Sequence, residues 1–145
     1  MSDIRDRIQS WLEGPFDEKT KESLRNSLKT DPKSLEDAFF KDLSFGTGGM
    51  RGIMGIGTNR MNIYTIRMAT QGLANYIKNQ PGKEHSVFIG YDVRHHSREF
   101  AEETAKVFAG NGIKALLSKE ICPTPLVSFA CRHFGCTAAV MITAS

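Results

Sequence analysis

The stretch Ser86–Ser97, SVFIGYDVRHHS, decides how the rest of the chain reads. Its first seven residues, 86–92, form a continuous apolar run closed by a carboxylate, the pattern of a strand covered on both faces. Ser97 then stands where it can cap a helix. Glu99, Glu102 and Glu103 fall near that helix's positive end, and Phe100, Thr104, Val107 and Phe108 recur at helical spacing. Asn111-Gly112 stops it. IKALLS (113–118) reads as a second strand. Thr124-Pro125 opens a further helix bearing Leu126, Phe129 and Ala130, which Gly135 ends, and TAAVMI (137–142) reads as a third strand. This alternation predicts an α/β fold: three layers, a mostly parallel sheet with a βαβαβ core, and helices on both faces.

In such sheets ligands gather beyond the carboxyl ends of the strands. Three loops occupy that edge: Asp92–His96, Ser118–Pro125 and Thr143–Ser145. The chemistry is therefore sought there, and Ser145 falls within it.

Upstream, residues 1–42 read as a helical N-terminal extension, and residues 43–145 as the α/β domain. Asp31-Pro32 pairs an N-cap with a proline at the first helical position, ahead of the apolar stripe Leu35, Ala38 and Phe39. Asp17 caps an earlier helix carrying Leu24 and Leu28. The texture changes at LSFGTGGMRGIMGIGTN (43–59), which holds glycines 46, 48, 49, 52, 55 and 57 of the chain's 13. Asn62 then caps a helix with Ile66, Ala69, Leu73 and Ile77 at helical spacing, ended by Pro81-Gly82.

Composition narrows the function classes. With 145 residues the chain is long enough for one domain with a core of its own. No run approaches the ~18 apolar residues of a membrane span, and the charged start MSDIRDRIQSW lacks a signal peptide's apolar centre, which points to a cytoplasmic setting without a membrane partner. A net charge of +3, with the basic residues scattered, argues against nucleic acid as a partner. The one local basic cluster, Arg94-His95-His96-Ser97-Arg98, suits a small anion better. Cys122, Cys131 and Cys136 form no C-x-x-C. Cys131, His133 and Cys136 make a poor zinc set, because two of them fall on a predicted helix and no fourth ligand is spaced for it.

Three stretches carry chemistry. Gly46-Thr47-Gly48-Gly49-Met50-Arg51-Gly52 is neither a P-loop nor a dinucleotide fingerprint. Its glycines nevertheless let backbone N–H groups converge on an anion, and Arg51 offers a bidentate guanidinium. The same glycines equally suit a turn-rich hairpin with no ligand. In Gly90-Tyr91-Asp92-Val93-Arg94-His95-His96-Ser97, a carboxylate and an arginine meet at a strand end before a helix N-terminus. The plain alternative is that Asp92 orders the loop and Arg94 pairs with it. Thr143-Ala144-Ser145 places a hydroxyl past a strand end, where a serine is either a cap or a nucleophile needing a base, a charge-stabilising group or a metal. Glu36-Asp37 and Glu102-Glu103 lie on predicted helices and make no usable carboxylate cluster for a metal.

In this order and spacing the stretches resemble the α-D-phosphohexomutase family, the phosphoglucomutases and phosphomannomutases. FGTGGMRG is similar to the family's G-T-x-G-x-R-G signature, and GYDVRHHS to its G-x-D-x-R-x-x-S loop. CPTPLVSFA is similar to its T-P loop and helix, and VMITAS to the start of T-A-S-H-N-P. The similarity runs from about Phe45 to Ser145. The helical preface and RGIMGIGTNRMN look most like the branch with bacterial phosphoglucomutases and phosphopentomutase-like enzymes.

The resemblance implies a mutase that interconverts sugar 1-phosphate and sugar 6-phosphate through a phosphoserine and a sugar bisphosphate intermediate. It implies Ser145 as the phosphoryl carrier, with one phosphate oxygen on Mg²⁺. Arg51 becomes a catalytic residue, with Thr47, Gly48 and Arg94 as phosphate- or substrate-binding residues. His95 and His96 are not assigned as bases. Family members have four domains, and the second supplies the aspartates that complete the metal site. The expectation is therefore an N-terminal piece of domain I, inactive alone, whose partners are a sugar phosphate and the family's domains II–IV. A different class stays open beside it: a stand-alone anion- or nucleotide-binding α/β module without catalysis. A third possibility is a chain that dimerises through uncovered strands or helices.

Overall fold

The computed structural model describes residues 2–82 and 84–143. They divide into two compact units, one reaching to Thr65 and the other running from Ile66 onward.

The first unit begins with three helices, α1 (Ser2–Glu13), α2 (Glu18–Thr30) and α3 (Pro32–Phe39). Both expected caps form. The Asp17 carboxylate accepts from the Thr20 amide at 2.9 Å, and Asp31 accepts from the Ser34 amide at 3.2 Å, with Pro32 opening α3. Asp17 also accepts from the Tyr64 phenol. The Thr20 hydroxyl, the Tyr64 phenol and the Thr20 amide together draw its carboxyl down to about 2, so this cap stays ionised at all ordinary pH. The apolar stripe of α3 lands as its spacing predicts: Leu35, Ala38 and Phe39 are buried together with Ile8, Trp11 and Leu24. Leu28 is instead largely exposed. Trp11 stacks on Phe16 at 4.3 Å and meets Phe39 edge-on at 5.4 Å, so aromatic area dominates this small core.

The glycine-rich segment is a hairpin rather than an open loop. Strands β1 (Phe45–Gly46) and β2 (Gly49–Met50) pair antiparallel around the two-residue tip Thr47-Gly48. Its base is a tightly bonded turn. Leu43 N–H donates to the Thr58 carbonyl at 2.8 Å, Met61 N–H to Ile53 at 2.8 Å, and the Asn62 side-chain amide to Gly55 at 2.8 Å and Gly57 at 3.0 Å. Arg60 is buried there and pairs with Asp37, an ion pair that the spacing of the sequence gave no sign of.

The second unit contains most of α4 (Ile63–Lys78), then β3 (Ser86–Tyr91), α5 (Ser97–Gly110), β4 (Lys114–Leu117), α6 (Thr124–His133) and β5 (Ala138–Ile142). Asn62 caps α4 as expected, its side-chain oxygen accepting from the Thr65 amide at 3.0 Å. The sheet order is β4-β3-β5, and both pairings are parallel, with Val87 opposite Ala115 on one side and Ala138 on the other. Alternation along β3 sends Val87, Ile89 and Tyr91 to one face, against Ala74 and Ile77 of α4 and Ala101 and Phe108 of α5. Phe88 points to the opposite face, with Cys122 and with Val127 and Ala130 of α6. Helices therefore cover both faces, and the predicted three-layer α/β architecture holds. Phe108, Val87, Ile89 and Ile77 are at most 1% exposed, and each contributes about 1.5–3 kcal/mol on burial.

Two expectations are corrected. In α6 the inward residues are Val127 and Ala130, whereas Leu126 and Phe129 lie largely exposed. PLVSFACRHF carries apolar residues on every side, so spacing alone could not set its rotation. Gly90 helps to set it: a Cβ there would lie 2.3 Å from Val127 Cγ2 and 2.7 Å from Cys122 Sγ, so only glycine lets this helix approach β3 so closely. Second, Ser97 is not the cap of α5. His96 takes the cap position in a left-handed conformation, φ 62°, and Ser97 is the first helical residue, with its hydroxyl engaged elsewhere.

One buried hydroxyl, Thr104 Oγ1 on the inner side of α5, has no hydrogen-bond partner among the described residues. Thr104→Val removes that unsatisfied group at nearly constant volume. We expect it to stabilise the fold by about 1 kcal/mol, read as a rise in the urea midpoint with unchanged m-value. A lower midpoint would mean that the hydroxyl has a partner after all.

Candidate functional site at the carboxyl edge of the sheet

The parallel register carries the ends of β3 and β5 to one edge, because Tyr91 lies opposite Ile142 in the last rung. Beyond that rung the backbones part, and side chains take over the pairing. The Asp92 amide donates to Ser97 Oγ at 3.3 Å, and the Ser97 hydroxyl donates to the Ile142 carbonyl at 2.7 Å. Ser97 is fully buried. Its hydroxyl thereby supplies a partner to one backbone group on each side of the gap.

The Asp92 carboxylate sits above this relay. Its Oδ1 accepts from the Arg94 amide at 3.1 Å, and its Oδ2 accepts from the Thr143 hydroxyl. The Arg94 guanidinium lies 3.6 Å from Oδ2. Burial pushes the carboxyl up. The Thr143 hydroxyl, the Arg94 amide, the Ser97 hydroxyl and the Arg94 charge outweigh that, and Asp92 sits below the ordinary carboxylate value. It is an ionised acceptor, not a proton donor.

Beside it opens a cleft of about 630 Å³ between the loop after β3 and the loop after β4, lined by Asp92, Arg94, His96, Arg98, Lys119 and Glu120 among others. Tyr91 closes its floor by donating its phenol to the Lys119 carbonyl at 3.0 Å. His96 contacts Glu99 at 2.5 Å and stacks against Phe100 at 6.1 Å.

The expected site residues distribute as follows. Thr47 and Gly48 form the exposed tip of the β1–β2 hairpin, and a Cβ on Gly48 would meet nothing within 4 Å. Gly48 is thus not demanded by packing. Arg51 follows β2 directly and is exposed. These three belong to the first unit and Arg94 to the second. Ser145, with Ala144, lies outside the described residues, which end at Thr143.

Among the described residues no group of three His, Cys, Asp or Glu side chains is placed to hold a metal ion. Cys131 and Cys136 are half-buried and His133 is exposed. Cys131 Sγ lies 3.6 Å from the Cys136 carbonyl, and His133 stacks on Phe129 at 5.5 Å. No helix in the described residues is long and apolar enough to cross a membrane. Sequence reasoning left unassigned the link from Asp92 and Ser97 to the end of β5. The available signal was the D-x-x-x-x-S spacing, but its partners Ile142 and Thr143 lie 45 and 51 residues away in the chain.

Residues 42–145 match the family model described as phosphoglucomutase/phosphomannomutase, alpha/beta/alpha domain I. Among curated proteins, the chain is 43% identical over 110 residues to a phosphoglucomutase of Staphylococcus haemolyticus, covering 76% of this chain and 20% of that protein. It is 42% identical over 137 residues to a phosphoglucomutase of Staphylococcus saprophyticus, covering 93% and 24%. It is also 37% identical over 148 residues to a phosphoribomutase of Saccharomyces cerevisiae, covering 99% and 24%. The chain thus spans between a fifth and a quarter of the length of these relatives. No solved structure gives a significant match.

Proposed function

Because the chain belongs to the phosphoglucomutase/phosphomannomutase family through its α/β/α domain I, we propose that it carries the phosphoryl-transfer serine of a cytoplasmic sugar-phosphate mutase. The observation that carries this reading is the carboxyl edge itself, where β5 leaves the sheet beside the Asp92–Arg94 loop and leads within three residues to Ser145.

In the proposed reaction a free hydroxyl of the sugar monophosphate attacks the phosphorus of phospho-Ser145. The O–P bond to serine breaks, the sugar hydroxyl gives up its proton, and the serine oxygen recovers one. The resulting sugar bisphosphate turns over and returns its other phosphate to Ser145, so that the 1-phosphate becomes the phosphate of the terminal hydroxyl, a 6-phosphate for a hexose. Such transfer needs alignment and charge neutralisation more than covalent help. Arg51 supports the second need: it is exposed and has no ion-pair partner among the described residues. Thr47 and Gly48 present exposed backbone beside it. Arg94 is already held toward Asp92, which orients its guanidinium at the strand end.

The residues described here do not by themselves fit a magnesium ion. Asp92 belongs to no group of three His, Cys, Asp or Glu side chains placed to hold a metal among the described residues, and both of its oxygens are engaged. This chain's contribution to a metal site would be limited to a phosphate oxygen on Ser145. The remaining ligands and the bisphosphate activator belong to the proposal for the whole enzyme, of which relatives about four times as long give the scale. Relatives named for glucose and for ribose are both close in identity, so the proposed substrate is a hexose or pentose phosphate.

The test uses the full-length enzyme. Ser145→Ala should lower turnover at least ~10³-fold and abolish the phosphoserine seen by mass spectrometry after incubation with sugar bisphosphate. The 145-residue chain alone should not convert glucose 1-phosphate. Turnover by either one overturns the reading.

A further inference from the structure

The Asp92–Thr143 hydrogen bond has no evident packing purpose. Thr143 is exposed and the Asp92 side chain is 23% exposed, so water competes for both partners and the bond between them contributes modestly to the fold, on the order of 1 kcal/mol. What it does is geometric. A carboxylate anchored to its own loop through the Arg94 amide reaches across the sheet edge and holds the first residue after β5. Beneath it, Ser97 holds the residue before that one by its carbonyl. Two successive residues, Ile142 in the last rung and Thr143 beyond it, are thus tied to the segment from Asp92 to Ser97, one by its carbonyl and one by its side chain.

We propose that Asp92 and Thr143 are positioning residues for phosphoryl transfer, clamping the exit of β5 and so fixing the approach of Ser145, two residues on, to the sugar hydroxyl. This rests on the reading of Ser145 as phosphoryl carrier. The physical reason is that in-line transfer tolerates little displacement: errors near 1 Å cost on the order of 10²-fold in rate. A strand that ends one residue before its reactive segment has lost its ladder there, and a side-chain clamp supplies the missing restraint. Thr143 needs its hydroxyl for this and Asp92 needs its charge, since hydrogen bonds to an ionised acceptor are roughly twice as strong as neutral ones.

The experiment compares Thr143→Val, Thr143→Ser, Asp92→Asn and the double variant Asp92→Asn/Thr143→Val with wild type and Ser145→Ala, all in the full-length enzyme. Thr143→Val should lower kcat about 10- to 100-fold while leaving KM within about twofold and the melting temperature within a few degrees. Thr143→Ser should return kcat to within about threefold of wild type. The double variant should be no slower than the worse single variant, because both remove one bond. Wild-type kcat in Thr143→Val, failure of serine to rescue, or multiplicative losses in the double variant each overturn the clamp. If Ser145→Ala remains active, the carrier reading fails and the clamp falls with it. If Ser145→Ala is dead while Thr143→Val is normal, only the clamp fails.

Discussion

On the proposed reading, Arg51→Ala in the full-length enzyme should lower kcat/KM by about 10²- to 10³-fold, the effect of removing one charge-stabilising donor from a transfer reaction. Its melting temperature stays at the wild-type value. The separation of the two effects follows from the position. Arg51 is exposed, follows the last residue of β2, and has no ion-pair partner among the described residues, so truncation removes little from the fold, about 0.5 kcal/mol or less. Nor does the hairpin base depend on it, since that base is closed by Leu43, Met61 and Asn62. Arg51→Lys should recover only part of the loss, because an ammonium cannot reproduce a bidentate guanidinium contact to phosphate. Steady-state kinetics with glucose 1-phosphate, alongside a thermal melt, checks both halves. Unchanged kcat/KM in Arg51→Ala removes the residue from the reaction.

The second large effect is on stability. Gly57→Ala should destabilise the first unit by roughly 3–5 kcal/mol, combining backbone strain with overpacking. Gly57 has φ +130°, which side-chain-bearing residues rarely adopt, and a Cβ there would lie 2.4 Å from the Ala38 carbonyl oxygen and 2.9 Å from its carbon. A flexible side chain could swing aside; a backbone carbonyl at the end of α3 cannot. That carbonyl also accepts from the Asn59 amide at 2.9 Å, and the Gly57 carbonyl accepts from Asn62, so any shift breaks the bonds that close the turn. Urea unfolding monitored by Trp11 fluorescence, a probe buried in this unit, reads the change. A midpoint within error of wild type would show that the turn relaxes freely.

Much of this architecture was readable from local pattern. The apolar runs at 86–92, 113–118 and 137–142, with helical spacing between them, placed all three parallel strands and both crossover helices. Asp17, Asp31 and Asn62 announced helix starts that the structure contains, because a cap bonds within three residues of itself. What was not readable depends on partners far along the chain. The rotation of α6 depends on the missing side chain of Gly90, some 35 residues earlier. The hairpin within the glycine-rich segment was one of two physical readings of the same residues. Ser97 looked like a cap because sequence shows its neighbours and not Ile142. For the candidate site, the strand-end position of Asp92 and Arg94 could be seen in advance, while the link to Thr143 needed the sheet order.

The Ser97 hydroxyl has a consequence for how this protein can drift over generations. A side chain bridges the backbone just past the last rung between β3 and β5, accepting from the Asp92 amide and donating to the Ile142 carbonyl, and it is wholly enclosed. The alphabet tolerated at position 97 is therefore set by valence: one group that both donates and accepts, in the space of a hydroxymethyl. A chain that kept this sheet would be held to such a small hydroxyl-bearing residue there, whatever chemistry its edge performed.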